Sequence, residues 1–148
     1  MSRAMLVTVL WRVENKPAVN IESGIQNLQL SDVVKGSWYY DAVIWAVENK
    51  IVEGYGNGKL GPNDPVTREQ AVAIIYRYAK SKGQEISAVA DLSGFIDETA
   101  ISDYALNAMK WAVDLRIILG LPGDKIAPKI SSTRAELATI IRRFYTTI

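Results

Sequence analysis

"AVIWAVENKIVEGYGNGKLGPNDPVTREQ" (residues 42–70) is answered later in the chain by "NAMKWAVDLRIILGLPGDKIAPKISSTRAE" (residues 107–136). Trp45 and Trp111, Gly54 and Gly120, Lys59 and Lys125, Pro62 and Pro128, and the pairs Thr67-Arg68 and Thr133-Arg134 all stand 66 residues apart. A repeat on this scale decides the architecture before any single residue is read, because repeated units bury their apolar faces against one another. Arg3 stands 65 residues before Arg68, and "SRAMLVTVLWR" (2–12) lies over "TREQAVAIIYR" (67–77) and "TRAELATIIRR" (133–143). On this reading the chain begins inside a copy.

Counted from each arginine, apolar residues fall at the third, sixth, seventh and tenth positions. They are Leu6, Val9, Leu10 and Val13, then Ala71, Ile74, Ile75 and Tyr78, then Leu137, Ile140, Ile141 and Phe144. This is the spacing of a helix with one buried face. Thr67 with Gln70, and Thr133 with Glu136, predict capping boxes, in which the hydroxyl accepts from a helix amide and the later side chain returns the bond. Ser2 can cap the first copy, but Met5 cannot reciprocate. Upstream, Trp38, Ala42, Trp45 and Ala46 in one copy, and Ala105, Ala108, Met109 and Ala112 in the other, recur at helical spacing. A stretch rich in Gly, Asn and Pro follows each, too irregular to continue the helix. One copy is therefore helix, shaped loop, capped helix, and the fold class is all-α. The expected boundaries are a capped helix of a truncated first copy at 1–16, a connector at 17–29, a complete copy at 30–82, a connector at 83–94 and a complete copy at 95–148. The connectors have room for an extra short helix.

The opening "MSRAMLVTVLWRVENK" superficially resembles a secretory leader. Its apolar run holds Thr8, is cut by Arg12 and meets no small-x-small cleavage pattern, so it reads as folded helix rather than a signal peptide. In 148 residues, 49% are hydrophobic, enough for a real core. Seventeen basic side chains against sixteen acidic leave a net charge of +1 with no basic block, which argues against nucleic-acid binding. No apolar stretch approaches a membrane span. Cysteine and histidine are absent, which removes thiolate nucleophiles, the usual zinc ligand sets and the commonest general base near neutral pH. Asp32, Asp41, Glu53 and Asp64 are scattered and form no acid and base pair. The expectation is no catalytic residue, no metal and no cofactor. "GYGNG" from Gly54 follows a helix and lacks the Lys-Ser/Thr of a phosphate loop.

The most pointed feature is the arginine that opens each capped helix, Arg3, Arg68 and Arg134. A helix N-terminus presents unpaired amides and partial positive charge, so an adjacent guanidinium makes a compact site for a carboxylate. Trp38, Tyr39, Tyr40, Tyr55 and Tyr104 sit at helix starts or in the Gly loop, where a flat face can stack on a sugar ring. Trp38 is the strongest of these, whereas Trp45 and Trp111 belong to the core.

Together, "LSDVVKGSWYYDAVIWAVENKIVEGYGNGKLGPNDPVTREQ" (30–70), "FIDETAISDYALNAMKWAVDLRIILGLPGDKIAPKISSTRAE" (95–136) and "SRAM" (2–5) resemble the S-layer homology domain family. The resemblance implies three pseudo-symmetric repeats in a cloverleaf around a central helical bundle. It implies a non-enzymatic module that holds a protein on a bacterial cell surface, outside the cell, by binding an acidic, pyruvylated secondary cell-wall polysaccharide in grooves between repeats. Peptidoglycan is the alternative wall partner. Carried over by position, the glycan-binding residues are Arg3, Arg68 and Arg134, Asp32 and Trp38, Asp97 in the last repeat, and Gly54 and Gly120. The sequence departs from the family pattern at Leu30, where Phe is usual, and at Lys50 and Arg116, where Gly commonly follows the first helix. Only Tyr104 loosely replaces Trp38 in the last repeat. A rival reading is self-association as a homodimer through the first helix, whose apolar face has no partner helix in a truncated copy.

Overall fold

A computed structural model of the chain describes residues 1–19, 30–87 and 89–148. Most of the first expected connector, residues 20–29, and residue 88 of the second lie outside the described residues. Within them the fold is all-α. The helices are α1 (Arg3–Val13), α2 (Tyr40–Glu48), α3 (Arg68–Ser81), α4 (Asp103–Asp114) and α5 (Arg134–Thr147), with a short 3-10 turn at Glu98–Ala100. Among the described residues, extended pairing is limited to isolated bridges, including Ser2 with Pro65 and Thr67 with Ser131.

Two compact units arise, Ser2–Pro65 and Val66–Ile148 together with Met1. In the first, α1 packs on α2 and the loop that follows it. Leu6 and Leu10 of α1 and Val43 of α2 are fully buried, as is Leu60 of the loop. The apolar face that the sequence left unpartnered on the first helix is thus covered by α2. Val13, expected on that face, is exposed, while Ala4, Val7 and Thr8 are buried instead.

In the second unit, α3 packs on α4. Ala71, Ile74, Ile75 and Tyr78 are all buried, as the spacing requires. Trp111, also buried, meets Phe144 of α5 with ring centroids 6.2 Å apart, and Tyr78 meets the same ring at 5.8 Å. These tilted aromatic contacts join α3, α4 and α5 into one core. Trp45 is buried as well.

Helix ends follow the chemistry of their caps. Both capping boxes form: Gln70 N donates to Thr67 Oγ1 at 3.3 Å and Glu136 N to Thr133 Oγ1 at 3.2 Å, each bond returned by the later side chain. Ser2 accepts from Met5 N at 3.3 Å without a return bond. At the other end of α2, Lys50 adopts φ 56° and the Ile51 amide reaches back to Ala46 O at 2.7 Å. Arg116 takes φ 55° after α4 in the same way. These are left-handed helix stops, a conformation that glycine adopts without strain.

Candidate functional site

The irregular loop after α2 has no ladder to satisfy its backbone, so its polar groups need side-chain partners. Arg3, the first residue of α1, supplies the donors: Nε donates to Leu60 O at 3.0 Å and Nη2 to Glu53 O at 2.7 Å. Asp32 supplies the acceptors, taking the Leu60 and Gly61 amides at 2.8 Å each. Leu60 is therefore held from both sides, its carbonyl by a cation and its amide by an anion. The second unit repeats the device. Arg68 donates Nε to Ile126 O at 3.0 Å and Nη2 to Leu119 O at 3.1 Å, while Asp97 accepts from Ile126 N at 2.8 Å and Ala127 N at 2.9 Å.

The helix amides are engaged too. Arg3 N and Ala4 N donate to Asp64 O and Pro62 O, and Arg68 N and Glu69 N donate to Ile130 O and Pro128 O. With the third amide taken by the cap, the first turns of α1 and α3 have their amides committed to the loops. Arg3 and Arg68 are correspondingly only 6% and 4% exposed. Arg134 opens α5 in the same sequence context but is exposed, and its guanidinium makes no hydrogen bond or ion pair among the described residues.

The glycines serve close packing. A Cβ on Gly54 would lie 2.7 Å from Lys59 O, across the narrow turn where the Tyr55 amide donates to that carbonyl at 2.8 Å. On Gly120 it would lie 2.8 Å from the Phe95 ring. Tyr55 lays its ring 4.8 Å from Arg3 Cζ and donates its hydroxyl to Asp64 at 2.9 Å. Burial, followed by that hydrogen bond, raises the Tyr55 pKa. Trp38 precedes α2, is 56% exposed and meets Tyr39 edge-on at 5.3 Å. Tyr39 and Tyr40 are buried, whereas Tyr104 stays exposed.

A cavity of about 350 Å³ opens in the second unit between the loop at Ile118–Leu121 and the first turns of α5. Its walls include Arg68, Gly120, Glu136, Thr139 and Arg143. The structure thus brings Arg68 and Gly120 to one place. Arg3, Asp32, Trp38 and Gly54 belong to the first unit, and Asp97 and Arg134 lie in the second without lining this cavity. Arg68 Nη1 faces Glu136 Oε1 at 3.9 Å. Burial lowers the Arg68 pKa, Glu136 opposes the shift and Arg143 adds to it. Glu136 is held below its ordinary value, first by the Thr133 amide, then by the Thr133 hydroxyl and Arg68.

Sequence reasoning missed two residues. Arg143 shares the cavity, and its signal was available: Arg12, Arg77 and Arg143 each follow the helix-opening arginine by nine residues. Glu69, 3% exposed, accepts from Ser102 N at 3.0 Å, Ser102 Oγ at 3.0 Å, Tyr104 OH at 3.3 Å and Lys129 Nζ at 2.6 Å. It ties α3 to the start of α4, and a buried carboxylate is tolerated because it is so fully bonded. No group of three His, Cys, Asp or Glu side chains suited to a metal occurs among the described residues. No helix among the described residues is long and apolar enough to cross a membrane.

Paired helices with an arginine and an aspartate clamping each loop define a repeat-built, all-α module with a cationic cavity. Residues 29–72 match the S-layer homology domain, so that stretch of the chain carries a domain of that family. It is similar to the exoglucanase XynX of Acetivibrio thermocellus, 39% identical over 127 residues that cover 83% of this chain and 11% of the relative. The surface-layer 125 kDa protein of Lysinibacillus sphaericus is 29% identical over 120 residues, 79% of this chain and 10% of that protein. A cellulosome-anchoring protein of Acetivibrio thermocellus is 32% identical over 95 residues, 64% and 21% respectively. The chain thus spans between a tenth and a fifth of the length of these relatives.

Proposed function

We propose that this chain anchors a protein non-covalently to a bacterial cell envelope by holding an acidic, pyruvylated cell-wall polysaccharide. The observation that carries the reading is the cavity of the second unit, where Arg68 and Arg143 outnumber Glu136 beside a loop glycine. Such a site favours a carboxylate over a neutral sugar. The match of residues 29–72 to the S-layer homology domain and the similarity to anchoring and surface-layer relatives support the same reading. The exoglucanase shares only 11% of its length with this chain, so the activity in its name assigns no catalytic role to these residues. In this reading Arg3 and Asp32, and Arg68 with Asp97, shape the loops. Gly54 and Gly120 permit their close approach, Trp38 offers an exposed ring to a sugar, and Arg134 adds an exposed cation.

Co-sedimentation with purified cell walls, before and after chemical removal of the secondary polymer, tests the proposal. Binding that disappears with the polymer is expected. Binding that survives its removal would assign the partner to peptidoglycan, and no binding to either would overturn the anchoring reading.

A further inference from the structure

The geometry points to Arg143, rather than Arg68, as the arginine that contacts the anionic group of the ligand, with Arg68 as a positioning residue that builds the wall. This deepens the anchoring reading and rests on it. The five donors of a guanidinium decide the matter. Arg68 spends Nε and Nη2 on the carbonyls of Ile126 and Leu119, turns Nη1 toward Glu136, and is 4% exposed. Withdrawing those donors for a ligand would strand two loop carbonyls and dismantle the wall that Leu119 and Gly120 form.

Arg143, on α5, lines the same cavity and is half-buried. Its guanidinium has no hydrogen bond or ion pair among the described residues. Its fork of donors is available to meet a carboxylate bidentately. Glu136 cannot neutralise both arginines: its Oε2 accepts from Thr133 N at 2.7 Å in the capping box, and its other oxygen faces Arg68. Two like charges in one cavity repel, and an anion held between them relieves that repulsion. Burial foremost, and Arg143 after it, lower the Arg68 pKa, in keeping with two cations lining one cavity.

The test uses the full chain with two probes, cell walls carrying the secondary polymer and soluble pyruvylated N-acetylmannosamine titrated by calorimetry. Arg143→Gln is expected to weaken binding of both by about tenfold or more, the scale of one charge-assisted contact. Its melting temperature should stay close to that of the parent. Arg68→Lys is expected to lower the melting temperature instead. In the unmutated chain, proton–nitrogen spectra of the arginine Nε groups should show the Arg143 signal moving on addition of the soluble probe, a readout independent of whether any variant folds. If the parent binds and Arg143→Gln binds equally, or if the Arg143 signal does not move, the assignment of Arg143 falls while the anchoring reading stands. If the parent binds neither probe, both fall.

Discussion

Three arginines occupy the same place in the repeat yet meet different surroundings. Arg68 is buried, with two carbonyls depending on it, whereas Arg134 is exposed. Arg68→Ala should therefore destabilise the fold by about 3 kcal/mol, since it leaves buried acceptors unpaired. Arg134→Ala should stay within about 0.5 kcal/mol. Urea unfolding of the two variants separates them, and equal effects would contradict the clamp. A helix-opening arginine was legible in the sequence as a cation beside free amides. Its burial was not, because the carbonyls it serves at Leu119 and Ile126 are 51 and 58 residues away in sequence.

At the scale of elements, the helix stops at Lys50 and Arg116 carry backbone strain, since a side chain in the left-handed region costs roughly 1–2 kcal/mol. Both are exposed, so their side chains offer little packing in return. Lys50→Gly and Arg116→Gly should each stabilise the chain by about 0.5–1 kcal/mol, after allowing for the greater chain entropy of glycine. Thermal melting should show a rise of about 2 °C for each. The cap of α5 carries a pH dependence. The Glu136 pKa is lower folded than its ordinary value of 4.5, so its stabilising effect is complete above that value and is lost as pH falls through the folded one. Gln70 makes the equivalent return bond in α3 without a charge. Glu136→Gln should therefore keep the cap at neutral pH and flatten the acid limb of stability against pH, measured by urea midpoints on either side of pH 4.5.

On the scale of the whole molecule, the unit of sequence and the unit of packing differ. The sequence repeats as helix, loop, capped helix. The compact unit Ser2–Pro65 instead joins the capped helix of one copy to the opening helix and loop of the next. The second unit does the same with α3 and α4, and then adds α5. The physical cause lies in the clamps: α1 and α3 each present their arginine and their first amides to a loop some 50–60 residues later in the sequence. With a net charge of +1, the chain has no bulk field to draw it to a polyanion, so the recognition proposed above rests on a local grouping, the cavity of the second unit.

The sequence by itself determined the all-α class, the repeat, the capping boxes and the apolar faces of α3 and α5. All of these depend on contacts within a turn or two of helix, where spacing and side-chain chemistry are enough. It also marked the positions of Arg68, Asp97 and Gly120. Only the tertiary structure decided what those residues do. Arg68 gives donors to two loop carbonyls, Glu69 is buried among Ser102, Tyr104 and Lys129, and Arg143 comes to line the same cavity as Arg68. Hydrogen-bond satisfaction is a property of the folded surroundings, and no local pattern records which of a cation's donors remain for a ligand.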